Sequence, residues 1–267
     1  MLNKKNFRSF LLFVSCLVGS VSSQVQAEGM SSSAATLKPY VTLGANWVSG
    51  STSNHMNMFV KEEDPLNPPN MEKFSGSKSN RMRANSLGGY AGLGFLAQRG
   101  QFLYGLEASF DYTRNKCAKT ISGQDALEFT DSGSDKQLYN SLTTELTRTY
   151  AGKILAQVGY AITPEWHILA RAGVVNSRFK YKASYKRNET PAVKGSRAAG
   201  RNLWGGVIGC GILYNFNAQW SVELNYEHQI FSAKKQFPNL DSAENQSLRP
   251  KINPHYHVVG INFRRYF

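Results

Sequence analysis

A period-two alternation of apolar and polar residues, returning in blocks of about 9 to 12 residues, constrains this chain more than any other feature. It is clearest in residues 257–267. There Val259, Ile261, Phe263 and Phe267 share one face, and Gly260, Asn262, Arg264 and Tyr266 the other. That is the pattern of a strand between lipid and a polar interior. Seven more blocks repeat it: residues 40–48, 87–97, 102–112, 147–160, 166–174, 204–216 and 220–228. In 102–112, for example, Phe102, Tyr104, Leu106, Ala108, Phe110 and Tyr112 point one way, and Glu107, Ser109 and Asp111 the other. Eight such strands predict an all-β, antiparallel, up-and-down transmembrane barrel, an even count as closure of a meander requires.

The connections alternate as well. Residues 98–101, 162–165 and 217–219 read as tight turns, whereas 49–86, 113–146, 175–203 and 229–255 are long and polar. Short turns on the periplasmic side and four long loops outside are the expected arrangement, with both termini periplasmic. Outward aromatics gather near the strand ends: Phe95, Phe102, Tyr160, Trp166, Tyr214, Trp220 and Phe267 on one rim, Trp47, Phe110, Tyr150, Trp204 and Tyr226 on the other. Two such girdles mark membrane interfaces.

At the amino end Lys4, Lys5 and Arg8 precede an apolar run from Phe10 to Val18, and Val25, Gln26 and Ala27 offer a cleavage site. Residues 1–27 therefore read as a secretory signal peptide that is removed, leaving 28–267 as the barrel domain. The leader carries three of the 31 Lys and Arg residues, so 28 remain against 18 acids. Beyond the leader there is no apolar run long enough for a helical span. Cys117 and Cys210 form no disulfide framework, and no cluster has metal-ligand spacing, so neither cofactor nor metal is expected.

An eight-stranded lumen is just wide enough for its own side chains. Its inward set is charged in both signs, with Glu107, Asp111, Glu223 and Glu227 against Lys153, Arg171 and Arg264. Unpaired buried charge is strongly unfavourable, so these should pair. Glu223 with Arg264 and Glu107 with Lys153 match best in height. The network reads first as a static plug and second as a gate for a thin ion path.

The stretch 175–203 carries Arg178, Lys180, Lys182, Lys186, Arg187, Lys194, Arg197 and Arg201 against Glu189, with Tyr181 and Tyr185 interleaved. Such an anion-binding loop suits lipopolysaccharide phosphates or sulfated host glycans, by salt-sensitive attraction. No nucleic-acid recognition module accompanies it.

The leader, the glycine-rich segment Leu87-Gly88-Gly89-Tyr90-Ala91-Gly92-Leu93-Gly94-Phe95 and the end Gly260-Ile261-Asn262-Phe263-Arg264-Arg265-Tyr266-Phe267 give the chain its resemblance to the OmpA/OmpX-type, opacity-like surface barrels of Gram-negative bacteria. The resemblance implies an outer-membrane location, with Phe263 and Phe267 in the assembly signal read by the barrel-assembly machinery. Family members usually place an apolar residue where Arg265 stands, so its side chain should snorkel to the headgroups. It further implies a structural or surface-interaction role, adhesin-like or in envelope integrity, through contacts with membrane lipids, lipopolysaccharide, host glycans or matrix proteins. A small porin-type channel is the alternative. A barrel enzyme acting on lipid A would need a His with Ser and acid partners. His55, His167, His228, His255 and His257 show only the cluster His255-Tyr256-His257, with His228 outward on the neighbouring strand, so no catalytic residue is assigned.

Overall fold

The computed structural model describes residues 36–63, 71–122, 128–131, 134–137, 141–186, 194–231 and 246–267. The expected leader lies outside them. The described residues form β1 (Thr36–Glu63), β2 (Met71–Arg99), β3 (Phe102–Ser122), β4 (Glu128–Asp131), β5 (Ser134–Gln137), β6 (Ser141–Ala161), β7 (Trp166–Lys186), β8 (Lys194–Asn215), β9 (Trp220–Phe231) and β10 (Gln246–Tyr266). Eight of these close into an antiparallel barrel in the order β1-β10-β9-β8-β7-β6-β3-β2, while β4 and β5 make a separate small hairpin. Following cross-strand partners from Tyr40 through Gly94, Glu107, Leu155, Gly173, Val207, Gln229 and Tyr256 returns to β1 at Gly50, a shear of ten residues. That stagger tilts the strands and leaves a lumen narrow enough to fill.

At one end the barrel is closed by the three tight turns. Gly100 takes φ 61° between β2 and β3, a conformation open to glycine and costly for residues with a Cβ. In the other two turns a side chain organises the backbone. Thr163 Oγ1 accepts hydrogen bonds from the amides of Glu165 and Trp166, at 3.3 and 3.1 Å. Asn217 Oδ1 accepts from those of Gln219 and Trp220, both at 2.9 Å. These are the local bonds for which Ser, Thr, Asn and Asp are favoured in turns.

The other end departs from expectation. Much of 49–86, 113–146, 175–203 and 229–255 is strand rather than loop. β1 and β2 stay paired out to Glu63 and Met71, and β7 and β8 out to Lys186 and Lys194. β1 runs without a break through the segment around His55. The alternation continues beyond the lipid-facing belt, but its two faces exchange character: Met82, Leu146, Phe179, Tyr181 and Ile252 turn inward, and polar residues face out. Water has replaced lipid around the wall, so the apolar residues lie on the opposite side.

The projecting wall divides. Among the described residues, β2 pairs with β3 only up to Gly88 and Thr113, and β9 is described as far as Phe231. Among the described residues two sheets rise past the barrel, β10-β1-β2 and β3-β6-β7-β8. Pro250 and Pro254 lie on β10 outside its described pairing with β9, which begins at His255. At the other seam Asn115 Nδ2 bonds the carbonyls of Val48 and Ala84, each at 3.2 Å, and Ser86 Oγ at 3.0 Å. One side-chain amide thus ties β3 to both β1 and β2 where the ladder between β2 and β3 has ended. The two sheets pack face to face over Val48, Met82, Cys117, Leu146, Phe179, Tyr181, Phe231, Ile252 and Tyr256.

Candidate functional site: a filled lumen and a basic collar

All seven inward charges predicted from the sequence are buried, and they meet in two tiers. In the tier nearer the turns, Glu107 accepts from Tyr40 Oη at 2.7 Å and Gln157 Nε2 at 2.9 Å, and also from the phenol of Tyr90. Arg264 approaches Glu107 at 3.5 Å and bonds Glu223, which Arg171 also bonds. In the second tier Lys153 Nζ lies 2.8 Å from Glu227 and 3.1 Å from Asp111. Gln229 Nε2 donates to Glu227 at 2.9 Å, and Arg171 reaches the same carboxylate at 3.7 Å. Tyr90 ties the tiers together: its hydroxyl holds Glu107, and its ring lies 4.8 Å beneath the Lys153 ammonium.

The expected contact of Glu223 with Arg264 forms. That of Glu107 with Lys153 does not. Glu107 is the register partner of Leu155 and Lys153 that of Ser109, so Lys153 lies one step further from the turns and finds Asp111 and Glu227. Glycines make the room for this network. A Cβ on Gly211 would stand 2.5 Å from Glu223 Oε1, and one on Gly94 2.8 Å from the Tyr40 ring.

Arg148 escaped the sequence reading. Period two from Tyr150 sets it on the lipid face, yet the register slips between Arg148 and Tyr150. That bulge turns Arg148 inward. Its guanidinium sits 4.6 Å over the Tyr256 ring and 3.7 Å from Asp111. Tyr40 and Tyr90 were also missed, and Gln157, inward by its parity beside Lys153, was not counted in the network; a neutral side chain did not stand out beside the charges.

Apolar layers bound the ionic tiers. Tyr40, Leu96, Leu103, Ala161 and Tyr266 cluster toward the turns, and the core between the projecting sheets covers the opposite side. A cavity of about 290 Å³ at the turn end ends on Leu96, Leu103 and Tyr266 of the first layer.

Outside, Leu43, Leu106, Ile154, Val158, Ile168, Ile208, Leu224 and Ile261 form an exposed apolar belt. Aromatic pairs edge it: Phe102 with Tyr160 and Trp166 with Tyr214 at the turn end, at centroid distances of 5.7 and 4.7 Å, and Phe110 stacked on Tyr150 further up. Arg265 is exposed, its guanidinium 5.5 Å from the Trp220 ring and 5.4 Å from that of Phe267, between two aromatics of the turn-end rim.

Past the belt the outward residues become basic. Arg81, Arg83, Arg114, Lys116, Arg178, Lys180, Lys182 and Lys251 are exposed. Among described side chains on this face, Glu145 is the one acid. A hydrogen bond from Lys116 at 2.8 Å, with the Thr147 hydroxyl and the charge of Lys182 adding to it, holds the Glu145 carboxyl below its usual range. The predicted anion-binding loop is thus redistributed. Arg178, Lys180 and Lys182 stand on β7, and Tyr181 between them points into the core. Arg201 is half-buried on the inward parity of β8. Lys186, Lys194 and Arg197 lie on β7 and β8, and Arg187 lies outside the described residues.

Solved structures similar to this chain include the outer membrane protease OmpT from Escherichia coli, at 8% identity, covering 90% of this chain and 99% of that one with a TM-score of 0.44. The outer membrane protein OprG from Pseudomonas aeruginosa is 11% identical over 84% and 96% of the two chains, TM-score 0.40. Neisserial surface protein A is 10% identical over 83% and 97%, TM-score 0.34. Likenesses of this size say nothing of ligand or activity. Comparison with curated protein sequences finds no match. Residues 13–267 match the family model described as the outer membrane protein β-barrel domain. With its closed eight-stranded barrel and apolar outer belt, the chain belongs to that family of outer membrane proteins.

Proposed function

We propose that this barrel acts at the cell surface as a structural and binding protein, adhesin-like or in envelope integrity, through its projecting hairpins. The observation that carries this is the contrast between its inside and its outside. The lumen is filled by paired charges between two apolar layers, which leaves no wide aqueous path. The outward wall past the lipid belt presents a collar of exposed cations at the level where an anionic outer leaflet and its sugars begin. Such a collar attracts phosphate, carboxylate and sulfate by a field that salt screens. Lipopolysaccharide is the resident partner this favours, and sulfated host glycans are the external one.

The orientation follows from the same reading: the tight turns face the periplasm and the hairpins the exterior. Residues 1–27 direct export, and Phe263 and Phe267 belong to the strand that the assembly machinery reads. The second reading, a small ion path, is favoured by Arg171, which bonds Glu223 and also lies 3.7 Å from Glu227, so an exchange of partners would need little movement.

The test is paired. Purified, refolded protein should be nearly silent in planar bilayers and should bind lipopolysaccharide or heparin saturably, less tightly as salt rises. Steady single-channel conductance without polyanion binding would reverse the order of the two readings.

A further inference from the structure

We propose that the outward face of β2, β1 and β10 just beyond the lipid belt is a binding site for the phosphate group of an anionic outer-leaflet glycolipid, a site that rests on the surface-binding reading above. The register sets its residues in rows. Leu87, Trp47 and Val259 make the last row of the belt, and all three are exposed. One step further out stand Asn85, Ser49 and His257, with His228 of β9 beside His257. The next row is Arg83, Ser51 and His255, and the one after it Arg81, Ser53 and Asn253. At two residues per step, the Ser49 row lies about 7 Å and the Ser51 row about 13 Å along the strand from Trp47. An outward Trp marks the membrane interface, so both rows fall at the level of lipid headgroups.

The face is a trough. Ser49, Ser51 and Ser53 are short, and they run between the arginines of β2 and the histidines of β10. Neighbouring strands lie about 4.8 Å apart, so the backbones carrying Arg83 and His255 are about 10 Å from each other with Ser51 between them. Arg81 and Arg83 are exposed. Arg81 leans into the same gap: its Nε donates to Ser51 Oγ at 3.0 Å, which holds that guanidinium over the trough. On the opposite wall the ring centroid of His228 lies 4.6 Å from that of His257 and 6.2 Å from that of His255. Lys251 is exposed on the same face of β10, four residues beyond His255. The described acid of the collar, Glu145, stands on β6 and is held by Lys116.

Phosphate is the ligand this chemistry fits. A guanidinium offers paired N–H donors to its oxygens, and two guanidiniums flank Ser51. The imidazoles add charge once they are protonated. Facing His255 are Ser51 on β1 with Arg81 and Arg83 beyond it, Ile230 and His228 on β9, and Lys251, Asn253 and His257 on its own strand. Facing His257 are Ser49 and Asn85, and on β9 His228 and Tyr226, whose Oη lies 2.7 Å from His257 Nδ1. Each of these is neutral or cationic. Protonation of the imidazoles therefore works against the arginines until an anion offsets the charge, so phosphate and proton favour each other's binding, by the reciprocity of linked sites. Affinity should rise as pH falls through the imidazole range. Arg178, Lys180 and Lys182 on β7 keep their charge throughout and give salt dependence alone.

The test titrates the refolded full chain, in uncharged detergent, with phosphorylated lipid A, with dephosphorylated lipid A and with inorganic phosphate, read by calorimetry. The phosphorylated lipid should bind saturably and the dephosphorylated one about tenfold or more weakly, since charged hydrogen bonds are lost. Inorganic phosphate should be weaker than the phosphorylated lipid, because it has no acyl chains to lie on the belt. Arg81→Gln with Arg83→Gln should weaken binding of the phosphorylated lipid by about tenfold or more. Ser51→Leu, which fills the trough and removes no charge, should weaken it as well, whereas a diffuse field would ignore it. Phosphatidylglycerol, whose phosphodiester keeps its charge across this range, should bind about fivefold tighter at about pH 5.5 than at about pH 7.5. His255→Gln with His257→Gln should flatten that dependence, and Arg178→Gln with Lys180→Gln should leave it intact. Should the paired arginine variant fail to fold, Arg83→Gln and Ser51→Leu decide the matter by the same loss. Wild type that binds no phosphorylated lipid overturns this site together with the surface-binding reading. Wild type that binds it, with the Arg83 and Ser51 variants binding equally well, overturns this site alone.

Discussion

Asn54 on β1 donates from Nδ2 to the hydroxyl of Tyr181 on β7 at 3.0 Å, across the space between the two projecting sheets. Both residues are buried, and they join segments 127 positions apart in sequence. This bond and the core around it make the projecting sheets one body with the barrel.

Tyr181→Phe keeps the ring and loses that bond, which should destabilise the fold by about 0.5–1.5 kcal/mol. Tyr181→Ala also opens a cavity in the core and should cost about 3–5 kcal/mol. Urea titrations read by the heat-modifiable gel shift give both values. Equal midpoints for the two variants would mean that the sheets do not pack as described.

Glu227→Leu removes the carboxylate that holds Lys153, Gln229 and part of Arg171, leaving buried cations with fewer partners. Loss of one member of a buried pair costs on the order of 3–5 kcal/mol. Adding Lys153→Met should recover part of the loss, because the stranded ammonium goes too. A double variant whose loss equals the sum of the single ones would refute the coupling.

Replacing Arg178, Lys180 and Lys182 with Gln removes three outward charges from β7 without entering the core. Exposed pairs contribute about 0–1 kcal/mol, so the unfolding midpoint should barely move. Binding to lipopolysaccharide or heparin should weaken and lose part of its salt dependence. Unchanged binding at every salt concentration would remove the collar from the proposal.

An epitope inserted between Thr190 and Ala192 should be reached by antibody on intact cells, and one at Ala218 in the β8–β9 turn only after permeabilisation. The reverse pattern would invert the proposed orientation.

Cys117 is buried between the projecting sheets, and that burial pushes its thiol up to about 11. At pH 8 it is protonated and enclosed, and the thiolate is the reactive species. A water-soluble maleimide should therefore label Cys117 only after unfolding, as mass spectrometry of a Cys210→Ser variant would show. Rapid labelling of the folded barrel would contradict the sealed core.

What the sequence determined by itself is the membrane part of the wall. Alternation is a local property of the chain, and lipid on one side with a narrow polar lumen on the other makes it strong. Residues such as Phe102, Glu107, Ile154 and Arg264 could therefore be assigned to a face without knowing their neighbours. Beyond the belt the same period persists with its faces exchanged, and Lys180-Tyr181-Lys182 reads as loop until Tyr181 is seen to meet Asn54. Which charges pair was likewise decided only by the closed barrel. Register and shear set the height of Lys153 against Asp111 and Glu227, and a single bulge before Tyr150 carries Arg148 from the lipid face into the core. The ring contact of His228 with His257 depends on the same register, because only the pairing of β9 with β10 sets the two side by side.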